Sequence, residues 1–543
     1  MTRLETVLAY HEATKHRFEG YARGPGRMDW STQPDLFRRY EGAPLIQLEI
    51  AEPGEEPHYA SVFSDEGRIP ASSLNYQNVS RLLYDSMALS AWKSVDDVSW
   101  PLRVNPSSGN LHPTECYLLC GAIPELCATP KICHYAPKEH ALEVRSEIRP
   151  GVWEKLTAGL PQGTVLMGLT SIHWRESWKY GERAYRYCQL DVGHALAAIT
   201  LSAAALGWEM KLLEDIGSDW LGQLLGITGQ KGDDAEEPDC LLAIFPHGGI
   251  AGRDSLDLAV MPDIGLLHWQ GIPNSLSPSY RKWERIAEVA QASRKPPLQP
   301  DYPHYPAPET TLSLPLFNGS FRRIIRQRRS AMAMDGVSSM PSPSFYALLE
   351  RTVSREKVPP FNLLPWPAYV DLVLFVHRVD GLLPGLYLLL RNRQHLHELR
   401  GLFDVEFLWE KPASCPDGLD LYLLAAGDVR NVSMEISCVQ DIASEGCFSL
   451  GMLAEFSHPL EKIGPWFYPR LFWECGMIGQ VLYLEAEAAG LRGTGIGCFF
   501  DDPLHELLGL TGILYQDLYH FTVGGPVEDR RLATMPAYSR EGK

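Results

Sequence analysis

The chain lacks any excess of positive charge: 49 Lys and Arg stand against 67 Asp and Glu, for a formal net charge of −18. Binding to a phosphodiester backbone needs a basic face, so nucleic acid is excluded as the expected partner. Long apolar runs are missing too. The best, Ala195 to Leu206, is short and interrupted by Thr200 and Ser202, so neither a bilayer span nor a membrane partner is expected. Met1-Thr2-Arg3-Leu4-Glu5 has no basic-then-apolar layout of a secretion signal. The 11 cysteines, an odd number, form no Cys-x-x-Cys and no Cys/His metal spacing. Cys188, Cys240 and Cys475 lie in apolar runs, as buried thiols do. These absences describe a reduced, cytoplasmic, soluble protein with no metal site.

What is present is enough for two or more packed domains: 543 residues, 45% of them hydrophobic. Residues 1–75 are polar and rich in breakers. Helical spacing over Val79 to Trp92 predicts a helix that Asn78 can cap. Strands are predicted at Glu115 to Cys120 and Thr164 to Thr170, and a helix from Glu182 to Leu206 that ends at Gly207. From Ser277 the composition shifts. A charged helical piece, Arg281 to Arg294, precedes Lys295-Pro296-Pro297-Leu298-Gln299-Pro300-Asp301-Tyr302-Pro303, which cannot continue a helix or a central strand. Beyond it come helices at Phe321 to Arg329 and Leu471 to Ala489. Strands are expected at Val370 to His377, Leu421 to Ala426 and Leu518 to Val523. The division is an N-terminal extension at 1–75, domains at 76–255 and 316–543, and a linker at 256–315.

The halves repeat. Glu182 to Ile227 aligns with Pro465 to Leu510 at a constant offset of 283, without a gap. Asp191 meets Glu474, Gly193 meets Gly476, Gly207 meets Gly490, and both stretches end in Leu-Leu-Gly. The reading is two copies of one α+β unit.

The densest cluster of small polar donors is Arg103-Val104-Asn105-Pro106-Ser107-Ser108-Gly109-Asn110-Leu111-His112-Pro113, which leads into the strand at Glu115. It resembles the Pro-Ser-Ser-x-Asn-x-(Gln/His)-Pro segment of the nitroreductase family of flavoenzymes, above all the SagB/ThcOx-type dehydrogenase branch. The resemblance covers residues 75–250 and 318–530. It implies two nitroreductase-like domains, helices around a mixed or antiparallel sheet, paired as an intramolecular pseudo-dimer, with further oligomerisation open. It also implies FMN, with Arg103, Pro106, Ser107, Ser108 and Asn110 against the flavin. Arg328-Arg329-Ser330 resembles the element that grips the FMN phosphate, although Met332 replaces a further basic residue. Gly495-Ile496-Gly497 resembles the loop laid along the flavin edge, and Arg530 the basic residue of the tail.

Each copy has lost what the other keeps. The early element of the first reads Glu12-Ala13-Thr14-Lys15-His16-Arg17-Phe18, and its glycine loop is replaced by Trp208 to Asp215. The second copy reads Pro360-Phe361-Asn362-Leu363-Leu364-Pro365-Trp366-Pro367 where the serine turn is expected. The surviving parts add to one composite FMN site. Lys179 and Tyr180 resemble the Lys-Tyr pair assigned to proton removal in azoline dehydrogenases of that branch. Arg175, Arg183 and Arg186 are the cations expected to lower the pKa of Lys179. Asp191 and His194, one turn apart, are left outside the site, and His112 is expected to hydrogen-bond. The expected activity is FMN-dependent dehydrogenation of a heterocycle or an amino-acid-derived substrate, small or peptide-borne. The alternatives are a nicotinamide-driven nitro or quinone reductase, and an inactive scaffold partnering a modification enzyme.

Overall fold

Two 21-residue helices, Ala184–Ala204 and Tyr468–Ala488, cross at the centre of the molecule. Apolar residues cover every face of both rather than one stripe, and almost every side chain on them is buried. They touch through the two glycines aligned by the repeat. A Cβ on Gly193 would lie 2.9 Å from the Cα of Gly476, and one on Gly476 would lie 2.9 Å from the Cα of Gly193. Gly193 also faces the carbonyl of Trp473, while Gly476 faces that of Leu190. Both pairs obey the offset of 283, so an approximate two-fold axis passes through the crossing. Only glycine permits backbones this close.

The computed structural model describes residues 1–51, 54–64, 69–248, 255–303, 317 and 319–538. Each half carries an antiparallel sheet against its central helix. The leading sheet runs Leu45–Gln47, Ala141–Glu147, Lys131–Ala136, Thr114–Cys120, Val165–Ser171, Glu237–Pro246, Trp208–Leu212. The trailing sheet runs Leu421–Ala426, Gly385–Leu389, Val370–Val376, Phe448–Glu455, Tyr515–Gly524, Arg492–Ile496. The order is the same apart from the extra edge strand Leu45–Gln47. The α+β fold of two like units expected from the repeat is therefore present. Among the described residues no helix is long and apolar enough to cross a membrane.

The halves exchange arms. Arg3–Ala13 and the residues after it dock on the trailing half: His11 contacts Gln516 at 3.1 Å, and the His16 amide donates to Asp501 at 2.8 Å. Glu284–Ala292 and the residues after it dock on the leading half, where the Lys295 amide donates to Ser218 Oγ at 3.0 Å. Ser218 and Asp501 are again 283 apart. The charged piece expected at 281–294 therefore folds, and part of the stretch read as linker has a structural role.

Three local expectations change. The helix expected over Val79 to Trp92 is Tyr76–Ser86, capped by Asn75 rather than Asn78, and Leu89–Val95 is a strand. This strand pairs with Val98–Arg103 and with Ala533–Met535 from the far end of the chain, a partner no local periodicity records. The glycine loop is the edge strand Arg492–Ile496. Finally, the counterpart of the helix Phe321–Gln327 is not near residue 12. The Tyr59 amide donates to the Gly319 carbonyl and the Phe321 amide to that of Pro57, a reciprocal bridge that pairs His58 with Ser320. By that register Arg328-Arg329-Ser330 correspond to Glu66-Gly67-Arg68, which lie outside the described residues.

Candidate functional site

The serine turn joins Val98–Arg103 to Thr114–Cys120 and is held by its own side chains. Pro106 is buried, and Gly109, Asn110 and His112 all have positive φ. Asn110 Nδ2 donates to the Pro101 carbonyl at 2.9 Å, its Oδ1 meets His112 Nε2 at 2.9 Å, and the His112 amide donates to Ser107 Oγ at 2.8 Å. Ser108 donates to Asp191 through its amide (3.0 Å) and its hydroxyl (3.1 Å). The hydroxyls and the amide thus lock the turn rather than reaching outward. Asp191, which sequence reasoning left aside, is its anchor. Burial raises the Asp191 carboxyl to about 7 despite those donors.

Lys179 and Tyr180 end the helix His173–Tyr180 and lie over this turn. A Cβ on Gly109 would meet the Tyr180 hydroxyl at 2.5 Å and Lys179 Nζ at 3.2 Å, so only glycine leaves them room. Lys179 Nζ stands 5.1 Å from the Tyr180 ring centre. The arginines expected to act on Lys179 are engaged elsewhere. Arg175 is paired with buried Glu115, while Arg183 and Arg186 both reach Asp501 in the trailing half. The charged neighbour that matters is instead Glu176, one turn before Lys179. It is fully buried, and burial with nearby Asp191 raises it well above the usual carboxylate range, with Lys179 and the Ser107 side chain acting the other way. Two buried acids with raised carboxyls beside a lysine and a tyrosine form a strongly perturbed cluster.

The second component comes from the trailing half. Arg328 is buried and its Nη2 donates to the carbonyl of Arg103, at the root of the serine turn, at 3.3 Å. Ser330 Oγ meets the Tyr483 hydroxyl at 2.9 Å, and that hydroxyl accepts from the Gly495 amide at 2.9 Å. The phosphate element and the glycine strand are thus tied together by one tyrosine of the trailing central helix. At the other end of the strand, Tyr187 from the leading central helix donates to the Gly497 carbonyl at 3.0 Å, and its ring lies 4.7 Å from that of Tyr180. Ser107, Ser108, Lys179, Tyr180, Arg328, Ser330, Gly495 and Gly497 therefore belong to one connected locus between the halves.

Electrostatics there call for an anion. Burial, together with Arg328, Arg492 and Arg326, lowers Arg329 to about 10, and burial lowers Arg328 as well. Among the described residues neither forms an ion pair with a carboxylate, and Arg328 Nε is buried without a partner. Lys93 is lowered by burial and by Arg329. A phosphate suits this excess of donors and charge, so the residues present fit FMN. Two expected ligands differ from expectation. Arg103 offers its carbonyl, since its guanidinium is buried and donates to the Leu36 carbonyl at 2.9 Å. Arg530 is exposed, and the tail residue that reaches the cluster is Glu528, through Arg492 at 3.3 Å. Burial and Arg328 push His194 down to about 3, in keeping with a neutral ring. Among the described residues no three His, Cys, Asp or Glu gather to hold a metal.

The position related by the pseudo-axis holds a cavity of about 240 Å³ bordered by Thr200, Gly207, Glu209, Met210, Lys357 and Asn362. By the offset of 283, Thr200 stands for Tyr483, Glu209 for Arg492 and Met210 for Gly493. Glu209 forms an ion pair with His247. The hydroxyl that ties the composite site together and the basic residue at the strand are both absent here.

Residues 86–244 match the family model described as the nitroreductase family. A candidate nitroreductase from Anabaena variabilis ATCC 29413 has a solved structure that covers 96% of this chain and 99% of its own, with a TM-score of 0.68 at 20% identity. A candidate nitroreductase from Ralstonia eutropha JMP134 matches 40% of this chain and 93% of its own (TM-score 0.27, 14% identity). The Escherichia coli microcin synthetase McbBCD complex with truncated pro-MccB17 bound matches 38% of this chain and 78% of the matched chain (TM-score 0.27, 19% identity). No curated protein matches the sequence. The likeness to the Anabaena structure shows a shared fold over 96% of this chain.

Proposed function

We propose that the chain binds one FMN between its halves and works as an oxidoreductase. The reaction is dehydrogenation of a heterocycle or another amino-acid-derived substrate, free or carried on a peptide. The observation that supports this most directly is the bond from Arg328 to the Arg103 carbonyl, which brings the two complementary fragments to one place. Arg328 and Arg329 are the residues that would hold the phosphate, guanidinium groups being suited to forked, charge-assisted bonds. The edge strand Arg492–Ile496 with Gly497, and the locked serine turn, would border the flavin. Bound flavin supplies the acceptor for a hydride from the substrate.

The protein's own task is the proton. Lys179 Nζ or the Tyr180 hydroxyl takes the proton that leaves the substrate as the hydride departs. Burial raises the carboxyls of Glu176 and Asp191, which weakens the negative charge behind the pair. FMN titrated into purified protein should saturate near one per chain, and saturation near two would refute the asymmetric site. Lys179→Ala should retain flavin and lose turnover by roughly 10²–10⁴-fold, the usual worth of a positioned base. Full activity in that variant removes Lys179 from the reaction. Rapid anaerobic bleaching by reduced nicotinamide would instead identify a reductase, and a colourless protein with no FMN affinity a scaffold.

A further inference from the structure

Sequence spacing gives no cysteine pair, yet two cysteines 60 residues apart meet at the end of the glycine strand. Cys498 follows Gly497 directly, and its sulfur lies 2.9 Å from that of Cys438, with both residues half-buried. A disulfide has its sulfurs about 2.05 Å apart, so the pair stands within about 1 Å of bond length. The chain holds Cys438 there at some cost: Cys438 and the β-branched Val439 have φ of 55° and 56°, a region that side chains of this kind avoid. Gln440 fixes the bend by donating to the carbonyls of Ser437 (2.7 Å) and Cys498 (2.8 Å).

The two sulfurs are not equivalent. The Ala22 amide donates to His16 Nδ1 at 2.9 Å, which leaves Nε2–H as the donor of that ring, and the ring hydrogen-bonds the Cys498 sulfur. Arg183 approaches from the leading half, donating to the Gly497 carbonyl at 3.4 Å. The remaining titratable neighbours are Tyr21, Tyr180, Tyr187 and Asp501, the last already paired with Arg183 and Arg186. The sulfur–sulfur contact with Cys438, with the hydrogen bond from His16 and the charge of Arg183, draws Cys498 down to about 5, while the same contact drives Cys438 up. In the second close pair, Cys120 and Cys127 at 3.7 Å, the contact with Cys120 and the charge of Lys131 draw Cys127 down only to about 7.

We infer that Cys438 and Cys498 form a reversible two-electron dithiol–disulfide couple, with Cys498 as the attacking sulfur and a low-molecular-weight disulfide as oxidant. The Cys498 thiolate attacks one sulfur of the small disulfide, forming a mixed disulfide and releasing one small thiolate. Cys438 then loses its proton and attacks the Cys498 sulfur, which forms the internal bond and releases the second thiolate. The internal bond would pin the end of the glycine strand to the bend after Ile436. That this strand borders a flavin rests on the function proposed above; the couple itself does not.

The test uses the full chain, with and without FMN, equilibrated in mixtures of reduced and oxidised glutathione, quenched with iodoacetamide and mapped by peptide mass spectrometry. The expected result is a Cys438–Cys498 linked peptide that rises with oxidising poise and disappears on reduction. In Cys438→Ser a glutathione adduct should accumulate on Cys498, and His16→Gln should slow alkylation of Cys498 at pH 6 by roughly tenfold. Alkylation of both cysteines at every poise overturns the inference, as does a link confined to Cys120 and Cys127. Because the sulfur state is read directly, a protein that binds no FMN still tests the couple. Absence of the link, in turn, leaves the FMN titration standing.

Discussion

Asp191 and Glu474 occupy the same place on the two central helices, yet they do different work. Glu474 is paired with buried Arg391 and accepts from the amides of Tyr369 and Val370 at 3.2 and 3.3 Å, so its charge is matched where the trailing sheet begins. Asp191 has no ion-pair partner among the described residues and is held by the amide and hydroxyl of Ser108 and by the Ser107 side chain. The same contrast runs through both sites. Tyr483, Arg492 and Gly493 stand on one side of the axis, and Thr200, Glu209 and Met210 on the other. A two-fold frame therefore fixes where residues sit but not their electrostatic role. One half matches its acid with an arginine, while the other holds its acid by neutral donors of the serine turn, close to Glu176 and Tyr180.

That contrast can be broken at four points, in descending order of effect. Glu474→Gln strands the Arg391 charge in the core and should cost about 3–5 kcal/mol in chemical denaturation at any pH near neutrality. A loss under 1 kcal/mol would show that the pair is not a structural tie. Arg328→Ala should weaken FMN by about a hundredfold, or ~2.7 kcal/mol, in a fluorescence titration. The mirror change Glu209→Ala should leave that affinity unaltered, and equal losses would make the two sites alike.

Asp191→Asn should have the opposite sign to Glu474→Gln. Asp191 holds its proton more tightly in the folded chain than in the unfolded one. Between about pH 4 and pH 7 the folded state therefore binds excess protons, and stability falls as pH rises through that window. The asparagine variant should match the parent near pH 4 and exceed it by on the order of 2 kcal/mol at pH 8. A pH-independent difference would mean that Asp191 is not the group responsible. Ser108→Ala, which removes one donor from that carboxyl, is the smallest change, expected to cost about 1 kcal/mol of stability with FMN still bound.

The parts of this arrangement legible in the sequence were those written in local spacing. The offset of 283 placed Gly193 on Gly476 because both helices must part with a side chain at the crossing. The serine turn, the arginines before Ser330 and the glycine strand were visible as compact patterns. The rest depended on distant partners. Leu89–Val95 carries helical-looking apolar spacing and becomes a strand because Ala533–Met535 lies beside it. Glu176 reads as one charge in a dense polar stretch, and only its complete burial in the folded chain marks it. Asp191 looked like an ordinary helix acid, since its partner Ser108 lies 83 residues earlier. Cys438 and Cys498 carry no spacing rule at all.

The late strand also sets a timetable. Lys93 reaches the Thr534 hydroxyl at 2.7 Å, Trp92 Nε1 donates to the Ala537 carbonyl at 3.1 Å, and the Leu89 amide donates to the Tyr538 hydroxyl at 2.9 Å. At the usual pace of translation, about 5–20 residues per second, those partners leave the ribosome roughly 20–90 s after the hairpin that needs them. For that interval the nascent leading half exposes the bare edge of Leu89–Val95, in the hairpin that leads into the serine turn, until Ala533–Met535 threads back to cover it.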